Sequence, residues 1–441
     1  MGHADGPGAG LRTVDEHLVA VLAELSPLPP LRQPLLDALD LASAEDVVAP
    51  LALPRFDNSA MDGYAVQTRD VVSAADDTPV KLPVIGEIGA GQASGAVREL
   101  PAGTAAKIMT GAPLPPGADA VVPYEWTDRG AREVWIARAP EHGAHVRYAG
   151  EDVGEGDLLV EAGTALGPRQ LGLLASVGRA SVLVRPRPRV VIVSTGSELR
   201  APGTPLEAGR DDDAIYDGNS YLLAAAARRA GAVPYRVGLV PDRPEAFLTA
   251  LEDQLGRAEM VVTSGGISMG DYDVVKEALA PGGDVWFGGL AMQPGKPQGF
   301  GLLPVGRLPA DADTPDADTR RRVPFFALPG NPVSSYISFE MFVRPALRRL
   351  MGLSPESRPV VRARLTHGVR SPHGRRQFLR GVVSRGRDGT TVTEVEPVGG
   401  SGSHLVGDLA ASDALIVVPE DVTELEAGAQ VTIVLLDGDG R

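Results

Sequence analysis

The stretch VVTSGGISMGDYD, residues 261–273, carries the signal that decides the fold. The apolar run at 260–263 predicts a buried strand, and the apolar spacing over 274–279 predicts a helix that follows at once. A strand that ends in glycines and leads into a helix presents backbone N–H groups and the positive end of the helix dipole. The stretch therefore predicts an anion site, with a tight turn capped by Asp273 as the alternative.

Side chains within this stretch narrow the kind of anion. Ser264 and Ser268 can donate hydrogen bonds to phosphate oxygens, whereas Asp271 and Asp273 would repel a bare anion. Carboxylates beside a phosphate point to a bridging cation or to a general base. No Gly-Lys-Ser/Thr follows the glycines, so this is not the phosphate loop of the P-loop nucleotide-binding proteins.

Strands alternate with helices on both sides of the stretch. The predicted strands are 189–194, 235–240, 260–263, 285–287 and 325–328. The predicted helices are 221–230, 244–255 and a long helix at about 332–351 with a kink at Pro345. Such alternation predicts a parallel α/β sheet with binding sites at the carboxyl ends of its strands.

Four polar, glycine-rich turns fall at the predicted strand ends, and together they predict one binding rim. They are TGSE at 195–198, SGG at 264–266, PGKP at 294–297 and LPGNPVS at 328–334. Because the carboxyl ends of parallel strands share one edge, four such turns are hard to explain as unrelated surface loops. Lys296, held between glycine and proline, would suit an oxyanion, and the alternative is an ordinary surface lysine.

Outside the α/β pattern the chain is rich in short strands. Residues 80–135 predict a small β domain, and 358–436 predict a C-terminal β barrel or sandwich. Helices are predicted at 13–25 and at about 35–42. The first ten residues are predicted to be disordered, and 306–322, rich in Asp, Pro and Thr, to form a mobile insertion.

Composition excludes several classes of function. The 441 residues predict two or more domains, and the net charge of −15 argues against nucleic-acid binding, which needs a basic face. The absence of cysteine excludes disulfides, zinc thiolates, iron–sulfur clusters and a cysteine nucleophile, and His142 and His145 lack further metal-ligand spacing. No apolar run approaches the roughly 20 residues of a membrane span, and no signal sequence precedes residue 11, so we expect a cytoplasmic protein.

Taken in order, the motifs resemble those of the molybdopterin molybdenumtransferase family, which includes bacterial MoeA and the gephyrin E domain. The matching segments are FDNSAMDGYA (56–65), IMTGAP (108–113), GED (150–152), STGSEL (194–199), SGGISMGDYD (264–273), PGKP (294–297), LPGNPVS (328–334) and GSH (402–404). They cover roughly residues 11–437. Two mild departures are Ser197, where the family often has Asp, and Asp217-Gly218-Asn219, where it has Asp-Ser/Thr-Asn.

The resemblance implies a multi-domain α/β plus β fold and a homodimer. The implied domains are an extended first domain (11–50 and 150–187), a β-rich inserted domain (51–149), a Rossmann-like, molybdopterin-binding parallel α/β domain (188–353) and a C-terminal β barrel (357–437). In such proteins the active cleft lies between the α/β domain of one subunit and the β-rich domain of its partner. Asp62, Thr110 and Asp152 would then meet Asp273 and Lys296 across the dimer interface.

The implied reaction takes adenylylated molybdopterin and molybdate, inserts molybdenum into the dithiolene and releases AMP. The implied catalytic residues are Asp62, Asp152, Asp273, Glu198 and Asp242, with Mg²⁺ held by Asp62 and Asp273. The implied substrate-binding residues are Thr110, Thr195, Gly196, Ser264, Gly265, Gly266, Ser268, Gly270, Lys296, Pro329, Gly330, Asn331, Ser334, Arg380 and Ser403. Of these, the candidates for binding molybdate, a dianion, are Lys296, Ser334, Arg380 and Ser403, with Arg376 as a substitute for Arg380.

Two other functions stay open on the sequence. The α/β domain is similar to the adenylyltransferases that carry out the preceding step, and a scaffold could bind the cofactor without turnover. The β-rich second and fourth domains favour insertion over adenylyl transfer, and the joint presence of Asp62, Asp152, Asp273 and Lys296 argues against a scaffold. The implied partners are the small-molecule substrates, a second copy of the chain and, as a further candidate, the molybdopterin adenylyltransferase. Neither nucleic acid nor membrane is an expected partner.

Overall fold

The structure is a computed structural model that describes residues 11–92, 97–267, 273–306, 321–386 and 391–436. Ser268, Gly270, the predicted disordered first ten residues and most of the predicted insertion, 307–320, lie outside these ranges. The α-helices of the described ranges are α1 (Val14–Ala23), α2 (Thr68–Val71), α3 (Pro168–Ser176), α4 (Asn219–Arg229), α5 (Pro244–Leu255), α6 (Val274–Leu279), α7 (Pro332–Ser338), α8 (Arg344–Leu350) and α9 (Val406–Ala410). None of these helices is both long and apolar enough to cross a lipid bilayer.

The described residues up to 187 form short strands, one five-stranded sheet and helices α1 to α3. The strands are β1 (Leu31–Pro34), β2 (Val47–Val48), β3 (Asn58–Ser59), β4 (Gly63–Val66), β5 (Val80–Ile88), β6 (Ala105–Ile108), β7 (Ala120–Pro123), β8 (Glu133–Ile136), β9 (Val146–Arg147), β10 (Leu158–Val160) and β11 (Ser181–Val184). The sheet has the order β7-β4-β6-β5-β8. The antiparallel pairs β1–β11 and β2–β10 join the two chain segments that flank it.

The helix predicted at about 35–42 is wrong. The segment follows strand β1 and forms only a single 3-10 turn, Leu36–Ala38. Asp40 has a φ of 65°, in the left-handed region, and a right-handed helix cannot continue through such a residue. The apolar residues that suggested a helix instead pack in a small cluster with β2, β10, β11 and α3.

The central sheet of the α/β region has six strands and is mixed. The strands of this region are β12 (Arg189–Thr195), β13 (Leu199–Arg200), β14 (Ile215–Tyr216), β15 (Val233–Val240), β16 (Met260–Ser264), β17 (Val285–Gly289), β18 (Met292–Gln293), β19 (Pro297–Pro304) and β20 (Arg322–Leu328). The order is β15-β12-β16-β20-β19-β17, in which the first four are parallel and β19 is antiparallel to both of its neighbours.

Strand β19 corrects the prediction of an all-parallel sheet. The sequence did not predict it because proline and glycine within a run argue against a strand. A glycine is needed at position 301, since a Cβ there would clash with the backbone oxygen of Asp284, the residue just before the neighbouring strand β17. Because β19 runs in the opposite direction, its first residue, Pro297, lies at the same rim as the carboxyl end of β20. Lys296 therefore reaches the predicted rim from the start of an antiparallel strand.

Both faces of the central sheet are buried. Alternate residues of β12 and β16 belong to two different apolar clusters, one with α4, α7 and α8 and the other with α5 and α6. Helix α1, expected in the extended first domain, joins the first of these clusters through Val14 and Val21, and Leu25, just after the helix, belongs to it as well. His17 of α1 is buried there with its ring centroid 5.1 Å from that of Trp286, and burial, assisted by the charge of Arg12, lowers the pKa of His17 to about 3.

The long helix predicted to run to about Met351 is confirmed, with a π-helical interruption. Helix α7 is followed by the π-helical turn Phe339–Val343 and then by α8. Pro345 lacks an N–H group and its ring would clash with the carbonyl four residues earlier, so the wider turn accommodates it without ending the helix.

The C-terminal region is a closed five-stranded barrel. The strands of this region are β21 (Val360–Leu365), β22 (Val369–Arg370), β23 (Arg376–Arg385), β24 (Val392–Pro397), β25 (Ala414–Val418), β26 (Glu424–Leu425) and β27 (Gln430–Leu435), of which β22 and β26 form a separate two-stranded pair. The circuit β23-β24-β21-β27-β25 closes through pairing of β25 with β23. The predicted barrel is confirmed, whereas helix α9 was not predicted because its five residues are too few for a periodic signal.

Candidate active site

A cleft of about 650 Å³ lies above the carboxyl ends of β12, β16 and β20. The predicted site residues that line it are Thr195, Gly196, Glu198, Asp242, Ser264, Gly265, Gly266, Asp273, Gly330 and Asn331. His404 and Val406, from the barrel region, form part of the opposite wall. Three of the four predicted rim turns thus open into one cavity, because parallel strands place their ends at one edge of the sheet.

Hydrogen bonds hold the floor of the cleft in one arrangement. Asn219 donates from Nδ2 to Ser264 Oγ at 2.8 Å and to the backbone oxygen of Gly330 at 2.6 Å, which ties the turn after β16 to the turn after β20. The backbone N–H of Gly265 donates to the oxygen of Leu328 at 3.1 Å. The sequence assigned no role to Asn219, although its place directly after an acidic residue and before a helix was a usable signal.

Asp217 is buried at the start of α4 and also lines the cleft. Its Oδ1 accepts hydrogen bonds from Ser194 Oγ at 3.1 Å and from the backbone N–H of Ser220 at 3.0 Å. These bonds connect the carboxyl end of β12 to the first turn of α4. Asp217 was another site residue that sequence reasoning quoted without giving it a role.

Glycine is required at two of the turns. Gly265 has a φ of +96°, and a Cβ there would lie 3.1 Å from the backbone oxygen of Thr195. Gly196 has a φ of +152°, and its Cβ would lie 2.6 Å from the Glu198 carboxylate. Beside them, the hydroxyl of Thr195 is buried at the cleft wall and no described protein group bonds it. A ligand oxygen or hydroxyl in the cleft could satisfy it.

The charges of the cleft are acidic. Glu198, Asp217, Asp242 and Asp273 line it, and no lysine or arginine is among its described lining residues. Asp242 accepts a hydrogen bond from the backbone N–H of Ser197 at 2.8 Å, which closes the turn after β12. Within the described ranges no group of three or more acidic or histidine side chains is arranged to hold a metal ion. A cation here would therefore need oxygens of the ligand to complete its coordination.

A second, smaller pocket of about 110 Å³ is lined by residues of α6, of β17 and of the start of β19. Lys276 and Lys296 line it together with Gln298, and none of its described lining residues is acidic. Neither ammonium forms an ion pair with any residue that the structure describes. Lys276 lies about one helical turn after Asp273, so the first turn of α6 contributes an acid to one cavity and a cation to the other. The sequence did not indicate Lys276.

Two predicted residues of the β-rich region contact each other directly. Asp62 Oδ1 accepts hydrogen bonds from the backbone N–H of Thr110 at 2.7 Å and from Thr110 Oγ1 at 2.8 Å. The backbone bond, followed by the hydroxyl bond, lowers the pKa of the Asp62 carboxyl. Asp152 lies in an exposed turn, and its backbone N–H donates to the backbone oxygen of Leu53 at 3.1 Å. None of these three side chains is among the lining residues of the cleft in the same chain.

The predicted residues near the barrel divide into two sets. Ser403 accepts a hydrogen bond from Asn331 Nδ2 at 2.9 Å, so it lies next to the cleft, whereas Ser334 is buried on α7 and does not line it. Arg380 is buried and donates to the backbone oxygens of Gly400 and Gly402, which holds the turn that carries Ser403.

Arg376, the substitute considered for Arg380, forms ion pairs with Asp15 at 2.7 Å and with Glu420 at 3.0 Å. Pro329 contributes a backbone oxygen that accepts a hydrogen bond from Ser264 Oγ at 3.4 Å.

Three family models match successive parts of the chain. They are the MoeA N-terminal region (domain I and II) at residues 12–178, a probable molybdopterin binding domain at 191–349 and the MoeA C-terminal region (domain IV) at 362–436. Molybdopterin molybdenumtransferase 2 of Mycobacterium tuberculosis is 43% identical over 429 residues, which are 96% of this chain and 99% of that protein. The chain belongs to the molybdopterin molybdenumtransferase family. The predicted resemblance is confirmed.

Other members of the molybdopterin molybdenumtransferase family support the same assignment. The Haemophilus influenzae molybdopterin molybdenumtransferase is 35% identical, with 90% of this chain and 92% of that protein aligned. A crystal structure of a molybdopterin biosynthesis MoeA protein from Pyrococcus horikoshii covers 97% of this chain and 100% of its own, with a TM-score of 0.79 and 32% identity. The predicted multi-domain α/β plus β fold class is confirmed by this match and by the closed barrel.

Proposed function

We propose that the protein inserts molybdenum from molybdate into adenylylated molybdopterin and releases AMP. The observation that carries the proposal is that two cavities lie on one rim of the sheet. The larger has glycines at its floor and acidic side chains around it, and the smaller is lined by two lysines. The first suits a phosphoanhydride accompanied by a cation, and the second suits a small dianion. The names of the family members support this activity.

Different residues of the cleft would have different roles in the reaction. The backbone N–H group of Gly266 and those at the start of α4 would bind phosphate oxygens, and the hydroxyl of Thr195 would bond one of them. Asp273 would orient the oxygen that attacks the phosphoanhydride. Glu198 and Asp242 would hydrogen-bond the water next to it and exchange protons with that water. Release of AMP then frees the phosphate of the cofactor.

Magnesium fits the donor set of the cleft. Mg²⁺ prefers oxygen ligands and is commonly bound by one or two carboxylates together with substrate phosphates. Asp273, with Glu198 or Asp242, supplies such carboxylates without a competing lysine among the described lining residues. A bound Mg²⁺ would neutralise charge on the phosphoanhydride oxygens.

We further propose a homodimer in which Asp62 and Thr110 of the partner subunit complete the cleft. Both are predicted site residues, yet they do not line the cleft of their own chain. The first domain also exposes apolar side chains that a partner could cover, since Val48 and Leu158 face each other across the β2–β10 pair and are 47% and 52% exposed. Paired apolar residues on one exposed surface favour burial against a second copy.

Charges on this surface are expected to separate the subunits. The double variant Val48→Lys/Leu158→Lys should be a monomer by light scattering and should lose most of its AMP release, because Asp62 and Thr110 of the partner subunit no longer reach the cleft. Val360→Lys, on the barrel and 62% exposed in the wild type, is the control and should stay dimeric. A double variant that remains a dimer would contradict the proposed interface.

The domain division predicted from the sequence is also proposed for this chain. Separate apolar clusters at 38–184, 64–136, 191–327 and 363–433 support an extended first domain, an inserted β domain, an α/β domain and a barrel. We also propose the cytoplasmic location that the sequence predicts. Contact with the molybdopterin adenylyltransferase is proposed as well, since that enzyme would supply the adenylylated substrate.

The assay that tests the proposed function follows AMP release and formation of active molybdenum cofactor from adenylyl-molybdopterin, molybdate and Mg²⁺. The proposal expects both products in equal amounts. Formation of adenylyl-molybdopterin from ATP and molybdopterin would instead identify an adenylyltransferase. Binding of the nucleotide without AMP release under any divalent metal would identify a scaffold.

The lysine pocket gives a prediction for molybdate. Lys276→Ala should raise the KM for molybdate by about 10-fold or more while AMP affinity stays within twofold, because the charge-assisted hydrogen bond that is lost belongs to the lysine pocket and Lys276 does not line the cleft. Lys276→Arg should recover part of the loss. Lys81→Ala, at an ion pair with Glu133 in the β-rich region, is the control and should leave the KM unchanged. An unchanged KM in Lys276→Ala would remove Lys276 from the molybdate site.

A further inference from the structure

We infer that the adenine ring of the substrate binds on an apolar wall at one end of the cleft, with Tyr216 as the residue that recognises it. The inference rests on the proposed function and adds the direction in which the substrate lies. The wall consists of Leu199, Ile215, Tyr216 and Leu222, all of which line the cleft. None of these residues was predicted as part of the site.

The wall is exposed although it is apolar. Ile215 is 56% exposed and Tyr216 is 46% exposed, and both sit on a two-stranded ribbon in which β13 and β14 run parallel. Large apolar side chains that cluster in a polar cleft mark a binding surface for a flat or apolar group. The surrounding cleft is acidic and polar, so the wall is the part of it that best suits an uncharged aromatic ring.

The aromatic ring of Tyr216 is held in place before a ligand binds. Its hydroxyl donates to the backbone oxygen of Thr204 at 2.8 Å, and the next residue, Asp217, is buried and bonded to Ser194 and Ser220. A ring fixed in this way loses little conformational entropy when a base stacks on it. The ribbon also leads directly into α4, whose first residue, Asn219, forms part of the phosphate-binding floor.

The order of the sheet sets the direction of the substrate. The ribbon follows β12, the glycine turns follow β16 and β20, and the lysine pocket lies at β19 and β17. Three strand spacings separate β12 from β19, which is roughly 14 Å at about 4.8 Å per spacing. The dithiolene must meet molybdate at the lysine pocket, and the phosphates occupy the middle. The adenosine end therefore reaches the ribbon, and the pterin stays at the other edge.

The test compares two ligands that differ by the ring alone. Calorimetry would measure the affinity of wild type, Tyr216→Ala and Tyr216→Phe for AMP and for ribose 5-phosphate in the presence of Mg²⁺. Tyr216→Ala should bind AMP about 10-fold more weakly while ribose 5-phosphate is unaffected, because only the base–aromatic stacking is lost. Tyr216→Phe keeps the ring and should bind AMP within twofold of wild type.

Tyr221→Ala is the matched control. Tyr221 is 47% exposed on the neighbouring helix, stacks under Arg236 at 3.5 Å and is not a lining residue of the cleft. The AMP affinity of the Tyr221→Ala variant should equal that of wild type. If Tyr216→Ala binds AMP as wild type does, the inference is overturned while the insertase function stands.

If Tyr216→Ala binds molybdopterin more weakly but binds AMP as tightly as wild type, the pterin and not the adenine lies on the apolar wall. That result would overturn the inferred direction of the substrate. A wild type that neither binds AMP nor releases it would overturn the proposed function itself.

Discussion

Replacing Asp273 by Asn is expected to slow AMP release from adenylyl-molybdopterin by at least about 100-fold, the loss typical of removing a group that acts in proton transfer. Asp273 lies at the first position before α6 and lines the cleft next to Gly265 and Gly266. Asn keeps the size of the side chain but has no charge with which to attract a cation or orient the attacking oxygen. Single-turnover measurement of AMP at saturating substrate isolates this step.

Binding and chemistry can be separated in the same experiment. The Asp273→Asn variant should bind AMP nearly as well as wild type, because the backbone N–H groups of the glycine turns remain. Asp253→Asn, an exposed position on α5 away from the cleft, is the control and should release AMP at the wild-type rate. An Asp273→Asn variant with the wild-type rate would contradict a role in the chemical step.

Glu340→Gln is expected to lower the free energy of unfolding by about 3–5 kcal/mol, the usual cost of removing one partner of a buried ion pair. Glu340 Oε2 lies 2.5 Å from Arg358 Nε and 3.9 Å from Arg344 Nε, and all three side chains are buried. Gln would remove the Glu340 charge from beside two buried guanidinium groups. The pair joins the π-helical turn to the segment that enters the barrel, so the loss should appear as a lower midpoint in urea.

Two variants test the electrostatic explanation. Glu340→Met combined with Arg358→Met should recover part of the lost stability, because no unpaired charge of that pair stays buried. Glu424→Gln, in an exposed pair with Arg370 at 3.3 Å, should cost less than about 1 kcal/mol. A Glu340→Gln variant within about 1 kcal/mol of wild type would show that solvent reaches the pair.

Burial also affects the neighbouring tyrosine. Burial and, next, the Glu340 carboxylate raise the pKa of the Tyr336 hydroxyl, so it stays neutral and can donate to Glu340 throughout the physiological range. The network therefore includes a neutral donor as well as two arginines.

Local patterns in the sequence predicted local structure well. The apolar run, the two glycines and the helical spacing at 260–279 predicted β16 and α6, and the structure has both. The helices at 221–230 and 244–255 and the barrel strands follow the same rule, since period and turn chemistry act over a few residues. The short segment at 35–42 failed because pairing of β1 with β11, far along the chain, overrode a weak helical preference.

The candidate site was predictable in part. Residues carried by glycine-rich turns or by the family motifs were found, and the structure brings ten of them into one cleft. Lys276 and Tyr216, which line the two cavities and which we propose as site residues, were not predicted, because one lies within a helix and the other in a two-residue strand without any motif. Their proximity to the other site residues depends on which strands neighbour each other.

The sequence by itself determined the strand–turn–helix units, the glycines that each sharp turn needs, the absence of thiol chemistry and the family. Only the tertiary structure decided the direction of β19, the closure of the barrel and the separation of an acidic cleft from a lysine pocket. The physical reason is that turn and helix signals act between residues close in the chain. Strand order and the convergence of side chains arise from contacts between residues far apart, which no local pattern encodes.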